Sequence, residues 1–418
     1  MIKHHTRLIA TVTGLAFALC TSGLYATDIT ISEEPLAPRA DYNLLLFENL
    51  RLDITGLFGV TYDDNINSSE DDEEEALYIT PRLNVAIDWP VTPNIKIGSG
   101  LNLGYRYHLS GEGNDDFYMG IDGDLSTGIQ ADIRLGNGVL RVFEKYRRQA
   151  DTLELAGGID DDEYVLNRNT VGAHYRVPLN PSWHLKATVD HRNTWTNLDT
   201  FERHDNVRDR INVVTSWVVN PQLELGPYYE YEQTDYDIDA NNDRSSHEFG
   251  LSFLYRTEGA VYFEGNLGYE TMNIDESLLL TSSGFRIVDD EGKGLTGRIA
   301  AHYASSEFTD HVLSVTYDRD QDILNSNANY SAETRYMYAI ATEIVPDLTL
   351  RGNIALLDIN ESDYGEQAKL WRLGAGTSYQ IDKFNRIRFD YNFYDKNSDT
   401  TNRDFQRNRI TVTFVHDF

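Results

Sequence analysis

The chain has 418 residues, a formal net charge of −31, 40% hydrophobic residues and a single cysteine, Cys20. So acidic a chain is a poor partner for nucleic acid, whose phosphates would repel it. Its 26 Tyr, 17 Phe and 5 Trp exclude a disordered polymer, and beyond the N-terminal segment no run approaches the roughly 18 apolar residues of a membrane helix.

Residues 1–26 read as an export signal. Lys3, His4, His5 and Arg7 give a basic start, 8–19 an apolar run, and Ser22, Gly23 and Ala26 a small-residue cleavage region, with the cut expected after Ala26. The run is too short for a comfortable membrane anchor, and Leu19 precedes Cys20 where lipoprotein processing wants a small residue. The mature chain would then lack cysteine and depend on something other than disulfides. Residues 27–49 form a periplasmic lead segment, too short for the plug of a TonB-type transporter.

From Leu50 the chain alternates with period two. Leu50, Leu52, Ile54, Phe58, Val60 and Tyr62 share one parity, and Arg51, Asp53, Thr55 and Thr61 the other. Side chains alternate across a strand, so one face is apolar and the other polar. In 77–89, Leu77, Ile79, Leu83, Val85, Ile87 and Trp89 oppose Tyr78, Thr80, Arg82, Asn84 and Asp88. The pattern repeats from Ile95 to Leu109. It repeats again from Phe117 to Arg134, read as one strand in which Phe117, Ile121, Leu125, Ile129 and Ile133 oppose Asp122, Asp124, Gln130 and Asp132. A helix would scatter these residues around its circumference. A tilted transmembrane strand needs about 9–11 residues, whereas strands of soluble sandwiches run to about 5–6; these runs are of the longer kind.

The connections alternate too. Long loops at 63–75, 110–116, 147–163, 194–206, 236–245, 273–294, 318–329, 360–366 and 396–404 take turns with short ones such as 90–94, 135–138, 220–222 and 346–347. Long loops on one side and tight turns on the other are the habit of bacterial outer-membrane barrels. The expected fold is an all-β, antiparallel, up-and-down transmembrane barrel over 50–418, with eighteen strands and both ends on the periplasmic side. The strands near 140–147 and 311–317 carry the weakest alternation, and without them sixteen remain. Hydrocarbon offers no partner to a free backbone amide, so the sheet must close on itself. A ring of this size is wide enough for a water-filled lumen. The last strand carries Ile410, Val412, Phe414, His416 and Phe418 on one parity. It resembles the signal that such proteins present to the barrel-assembly machinery, with Phe414 and Phe418 as its aromatics.

The polar parity supplies the candidate lumen. Arg372, Arg386, Arg388, Arg407 and Arg409 on the closing strands, with Arg51 and Arg82 across the seam, form a basic wall. About half a turn away Glu224, Glu230, Glu232, Glu248, Glu264 and Glu270 form an acidic one. Opposed walls would set a transverse field across a pore; the plainer reading is that lumen charges pair with one another. Tyr118, Tyr228 and Tyr262 also face inward, where they would stack on sugar faces or simply fill the wall. The acidic run 63–75 is chiefly a solvated loop, without the spacing of an EF-hand. No catalytic motif, cofactor site or metal site is expected.

At the end of the first strand stands Gly59-Val60-Thr61-Tyr62-Asp63-Asp64-Asn65-Ile66. With a whole-chain barrel of this length and the terminal Phe418, it resembles the β-barrel porin 2 family over 45–418. The resemblance implies an outer-membrane channel of a Gram-negative cell, and for some members a conduit for exopolysaccharide export with a periplasmic export partner. It brings no catalytic residues. Tyr62, Asp63, Asp64 and Asn65 carry the motif, which is read as a cap on the rim of the first hairpin through side-chain-to-backbone bonds. The expected function is therefore transport through a porin-like channel, of polysaccharide or of small polar solutes, in a wall of lipid and lipopolysaccharide. The alternative is a non-conducting structural or adhesive barrel acting through its acidic loops.

Overall fold

The computed structural model describes residues 44–418 except 48, 72, 112–114, 121–126, 151–164, 197–204, 238–242, 258, 275–276, 282–283, 289–290, 321–330, 362–365 and 401–402. The proposed signal and cleavage point lie outside the described residues.

The described chain is all strand and connection. In order come β1 (Leu44–Phe47), β2 (Leu50–Asp63), β3 (Ala76–Thr92), β4 (Ile95–Ser110), β5 (Asp116–Met119), β6 (Thr127–Leu135), β7 (Gly138–Ala150), β8 (Val165–Asn180) and β9 (Trp183–Thr196). Then follow β10 (Asn206–Asn220), β11 (Leu223–Tyr236), β12 (Arg244–Arg256), β13 (Val261–Ile274), β14 (Ser277–Thr281), β15 (Gly284–Val288), β16 (Glu291–Ser306) and β17 (Thr309–Asp320). The last are β18 (Ser331–Val345), β19 (Leu348–Glu361), β20 (Gln367–Gln380), β21 (Asn385–Ser398) and β22 (Phe405–Asp417).

Eighteen of these are staves of one antiparallel ring: β2, β3, β4, β6 to β13 and β16 to β22. Each pairs with its neighbour in the chain, and β22 closes the ring on β2 from Thr55↔Asp417 to Asp63↔Arg409. Closure leaves no stave with a free edge, the condition for crossing hydrocarbon. Both weakly alternating strands are present, as β7 and β17.

Three details depart from the sequence expectation. The strand expected over 117–134 is two, β5 and β6. Gly120, at φ +70°, takes a left-handed turn directly after β5 that breaks the run. A Cβ there would stand 2.9 Å from the Tyr146 carbonyl. Since β6 pairs with β4 only from Ile95 to Gly100, β5 fills the gap above it by pairing with Leu103–Arg106. Second, the loop over 273–294 holds a separate hairpin, β14–β15, built from the β-prone runs Leu278–Leu280 and Phe285–Val288. Third, the lead segment contributes β1, which pairs with Leu50–Leu52 on the same edge of β2 that receives β22 further along.

The two faces of the ring differ as the alternation requires. Phe58, Val60, Leu83, Tyr105, Ile129, Val189, Phe249, Leu251, Leu267, Leu295, Leu313 and Trp371 are among the large apolar side chains left exposed on the outer face. So continuous an apolar surface needs lipid to cover it. Aromatic pairs stand at both ends of β9, as at membrane interfaces. At the short-turn end Trp183 stacks on Trp217, with ring centroids 5.8 Å apart. At the loop end, Trp195 of the same strand meets Tyr146 at 6.1 Å.

Candidate channel lumen

On β2 and β22 the odd positions face inward, opposite the exposed Phe58, Val60, Val412 and Phe414. By the same parity every residue of the two expected walls faces the inside of the ring. What surrounds each differs greatly.

On the basic side most guanidinium groups are already engaged. Arg407 is fully buried and grips the Asp63 carboxylate with Nε at 2.9 Å and Nη2 at 2.7 Å. Arg409 Nε reaches the same carboxylate at 2.9 Å. Arg372 lies over the Tyr394 ring at 5.0 Å and donates to its hydroxyl at 3.2 Å, while Arg409 covers the same ring from 6.0 Å. Arg51 stands opposite Asp88 in the β2–β3 register. Arg82 is near Tyr118 and Asp390.

Arg386 and Arg388 are different. Neither makes an ion pair or a side-chain hydrogen bond among the described residues. They sit on β21 just past the short turn at 381–384, so they belong to the short-turn end of the lumen. Arg388 has Arg386, Arg351 and Arg82 around it, and the nearby Asp390 already accepts Arg351 Nη2 at 3.0 Å. Beside Arg388 in the register stand two hydroxyl residues, Ser378 and Thr413. Like charges gathered this way, beside hydroxyl donors, favour an anion.

The acidic side is a lattice of both signs, in line with the plainer expectation that lumen charges pair with one another. Glu230, Glu248 and Glu270 lie directly opposite one another on β11, β12 and β13. Such a row repels itself unless compensated. Glu230 accepts from Asn212 Nδ2 at 2.7 Å, Glu248 from the Tyr228 hydroxyl and from Thr296 Oγ1 at 2.7 Å, and Glu270 faces Arg319 at 3.9 Å. One step along, Glu232 sits between Arg208 and Arg244, each at 3.2 Å. Glu224 pairs with Arg256 at 3.1 Å and Glu264 with His302 at 3.3 Å. Arg208 of β10 and Arg244 and Arg256 of β12 share the inward parity with these carboxylates, whereas Arg319 of β17 carries the parity of the outward Leu313 and Val315, so alternation alone does not point to it.

Two of the three inward tyrosines are spent on the wall. Tyr118 and Tyr228 are 4% and 7% exposed. Tyr118 lies flat on Gly104, and Tyr228 crosses Gly250 toward Gly268; at each of these glycines a Cβ would run into the ring or its hydroxyl. Little of either ring is left for a sugar to stack on. Tyr262 stacks on the His302 imidazole, 4.2 Å between centroids and 7° between planes.

The motif after the first long strand forms a cluster at the closing seam. Asp64 takes the Asn408 backbone N–H at 2.6 Å and its Nδ2 at 2.7 Å, and Asp64 N–H donates to Asn408 O at 3.2 Å. Asn65 Nδ2 donates to Gln406 O and to Ser69 O, both at 2.8 Å. Tyr62 points outward and donates to Glu75 at 2.9 Å. The bonds run across the seam to β22 more than within the first hairpin. The loop 63–75 is also not simply solvated: Asp63 and Asn65 to Ser68 are buried, while Glu70, Asp71, Glu73 and Glu75 are exposed. Among the described residues no group of three or more His, Cys, Asp or Glu is placed to hold a metal ion. At the opposite end of the seam Phe414 and Phe418 lie on the outer face, the Phe418 N–H bonded to Ile54 O at 3.0 Å and its ring 3.3 Å from where a Cβ at Gly56 would be.

No protein-family model matches the chain and no curated relative does, so the likeness at 59–66 stands on that segment alone. Solved structures do match. OccK2 (OpdF) of Pseudomonas aeruginosa, in complex with glucuronate, is 12% identical with a TM-score of 0.51, over 89% of this chain and 99% of that one. A BenF-like porin of Pseudomonas fluorescens Pf-5 is 13% identical with a TM-score of 0.50, over 89% and 100%. At such identity the likeness is one of fold: this chain is similar to porin barrels along nearly its whole ring.

Proposed function

We propose that this barrel is an outer-membrane channel for small polar solutes, and that it favours anions. The observation that carries the reading is the pair Arg386 and Arg388, inward-facing guanidinium groups that make no ion pair or side-chain hydrogen bond among the described residues, the carboxylate near Arg388, Asp390, being held by Arg351. Across the lumen the carboxylates are largely compensated by arginine, histidine, hydroxyl or amide. The net field therefore points from the β19–β22 side, and it is this asymmetry that remains of the two opposed walls. Long loops face the cell exterior and short turns the periplasm, which puts Arg386 and Arg388 at the periplasmic exit. A solute carboxylate or phosphate would meet them there with Ser378 and Thr413 alongside. The glucuronate bound by OccK2, a sugar carboxylate, is the class of solute this wall suits.

Polysaccharide secretion, which the family resemblance implies, gains no support here: two of the inward tyrosines lie flat against the wall. A closed adhesive barrel would have no use for lumen arginines that make no ion pair among the described residues.

Planar-bilayer recording tests the proposal. The native barrel is expected to conduct and to pass chloride in preference to potassium. Arg386→Glu/Arg388→Glu should lower that preference by about tenfold, since walls of one sign concentrate counter-ions on that scale. Arg407→Glu is the wrong probe, because Arg407 is already bound to Asp63. A silent bilayer defeats the channel reading; unaltered selectivity in the double variant defeats the anion preference.

A further inference from the structure

The first long loop turns inward at the cell-facing mouth and is tied to the last strand. We propose that it is a fixed lining of the channel entrance rather than a loose flap, and that Asp63 and Arg407 are the residues that position it. The inference rests on the channel reading for its consequence, though not for the placement of the loop.

Asp63 is the last residue of β2 and faces the lumen. Its carboxylate receives three charge-assisted bonds from Arg407 and one from Arg409, both on β22. Carboxylate and guanidinium are 0% and 1% exposed. A buried ion pair is weak as a source of stability but costly to break from one side, because the survivor is left charged and unsolvated. It therefore fixes geometry. From this pair the loop is secured link by link. Arg407 Nη1 donates to Ser68 Oγ at 3.2 Å. Ser68 holds φ at 52°, a left-handed conformation unfavourable for serine. Its N–H donates to Asn65 O at 3.2 Å, and Ile66 N–H donates to Glu74 O at 2.8 Å. The Ile66 side chain then packs with Ala76 and Tyr78, two inward-facing residues of β3.

The segment thus covers the inner faces of β22, β2 and β3. Arg407, Ser68 and Asn65 are among the most deeply buried side chains of the molecule, in a place where an open barrel would have water. The exposed carboxylates Glu70, Asp71 and Glu73 ride on this anchored base. If the anchor fails, the mouth widens and the loop moves in and out of the current path.

The experiment places a thiol at the buried position Asn67, as Asn67→Cys in a Cys20→Ser background, and follows its reaction with a maleimide in the folded, detergent-solubilised barrel. A Glu70→Cys thiol serves as the exposed reference. In the otherwise native barrel, Asn67→Cys should react at least about tenfold more slowly than the reference, as expected of a site reached only by local opening. Adding Asp63→Asn or Arg407→Met should bring it close to the reference. In bilayers the same two substitutions, without the thiol, should raise single-channel conductance and open-channel noise. Should either substitution prevent the barrel from forming, Ser68→Ala removes one bond only and should give a smaller rise in thiol reactivity of about threefold. Equal reaction rates at 67 and 70 in the native barrel, or no acceleration in any variant, would overturn the proposal. A native barrel that never conducts removes the channel reading, while the thiol rates still decide where the loop lies.

Discussion

Asp382, in the turn between β20 and β21, accepts the N–H groups of Phe384 at 2.8 Å and Asn385 at 2.9 Å, and both its oxygens meet Asn385 Nδ2. Donors aimed at a carboxylate favour its charged form. The Asn385 side chain, with those backbone amides, holds Asp382 below the usual carboxylate range. The sign follows. A depressed folded value means that the turn is fully supported above the unfolded carboxylate value, and that the support is lost as pH falls through the lowered one. In an NMR titration the Asn385 side-chain amide should therefore shift with a midpoint below the ~3.9 of a free aspartate. A midpoint at that ordinary value would mean that the turn bonds do not persist in solution. At this scale the sequence was only half legible. Alternation places Arg386 and Arg407 on the same inner face, yet among the described residues one guanidinium has no ion pair or side-chain hydrogen bond and the other is sunk in an ion pair. The partner of Arg407 lies 344 residues away, and no local pattern points to it.

Strands were the most legible level, because a two-sided environment writes itself into every second residue. Interruptions were less so. The break at Gly120 comes from one left-handed residue inside a run whose alternation continues on paper to Ile133. The short strand β5 could not be told from a continuation of the next stave. Its fit depends on Gly104, where a Cβ would run into the Tyr118 ring. Gly104→Ala should cost about 1–3 kcal/mol, the usual range for forcing extra volume into a packed site. It should lower the temperature at which the barrel loses its compact electrophoretic mobility. Gly104→Ala/Tyr118→Leu should recover most of that loss, since the clash is with the ring. A single variant as heat-resistant as the parent would show that Tyr118 does not lie where the structure has it.

Over the whole molecule, the ring, its closure and its two faces follow from period, run length and the alternation of loops with turns. The balance of charge within the lumen does not follow, because it depends on which staves face each other across the seam and which loops fold inward. The outer face offers a direct check. Ile299 is exposed midway along β16, while its neighbour Arg298 faces inward. Ile299→Lys should destabilise the barrel in lipid by about 2–4 kcal/mol, as charge does at the bilayer midplane, whereas Arg298→Lys should be tolerated. Comparable stability of the two variants in bilayer unfolding titrations would contradict the assigned faces. The seam has a temporal meaning as well. Asp63 and Arg407 stand on the two strands that close the ring, and until those strands pair the Asp63 carboxylate has neither Arg407 nor Arg409 to bury against. The entrance therefore cannot take its final shape in any partially assembled cylinder. Completion of the circle and completion of the doorway are therefore a single event.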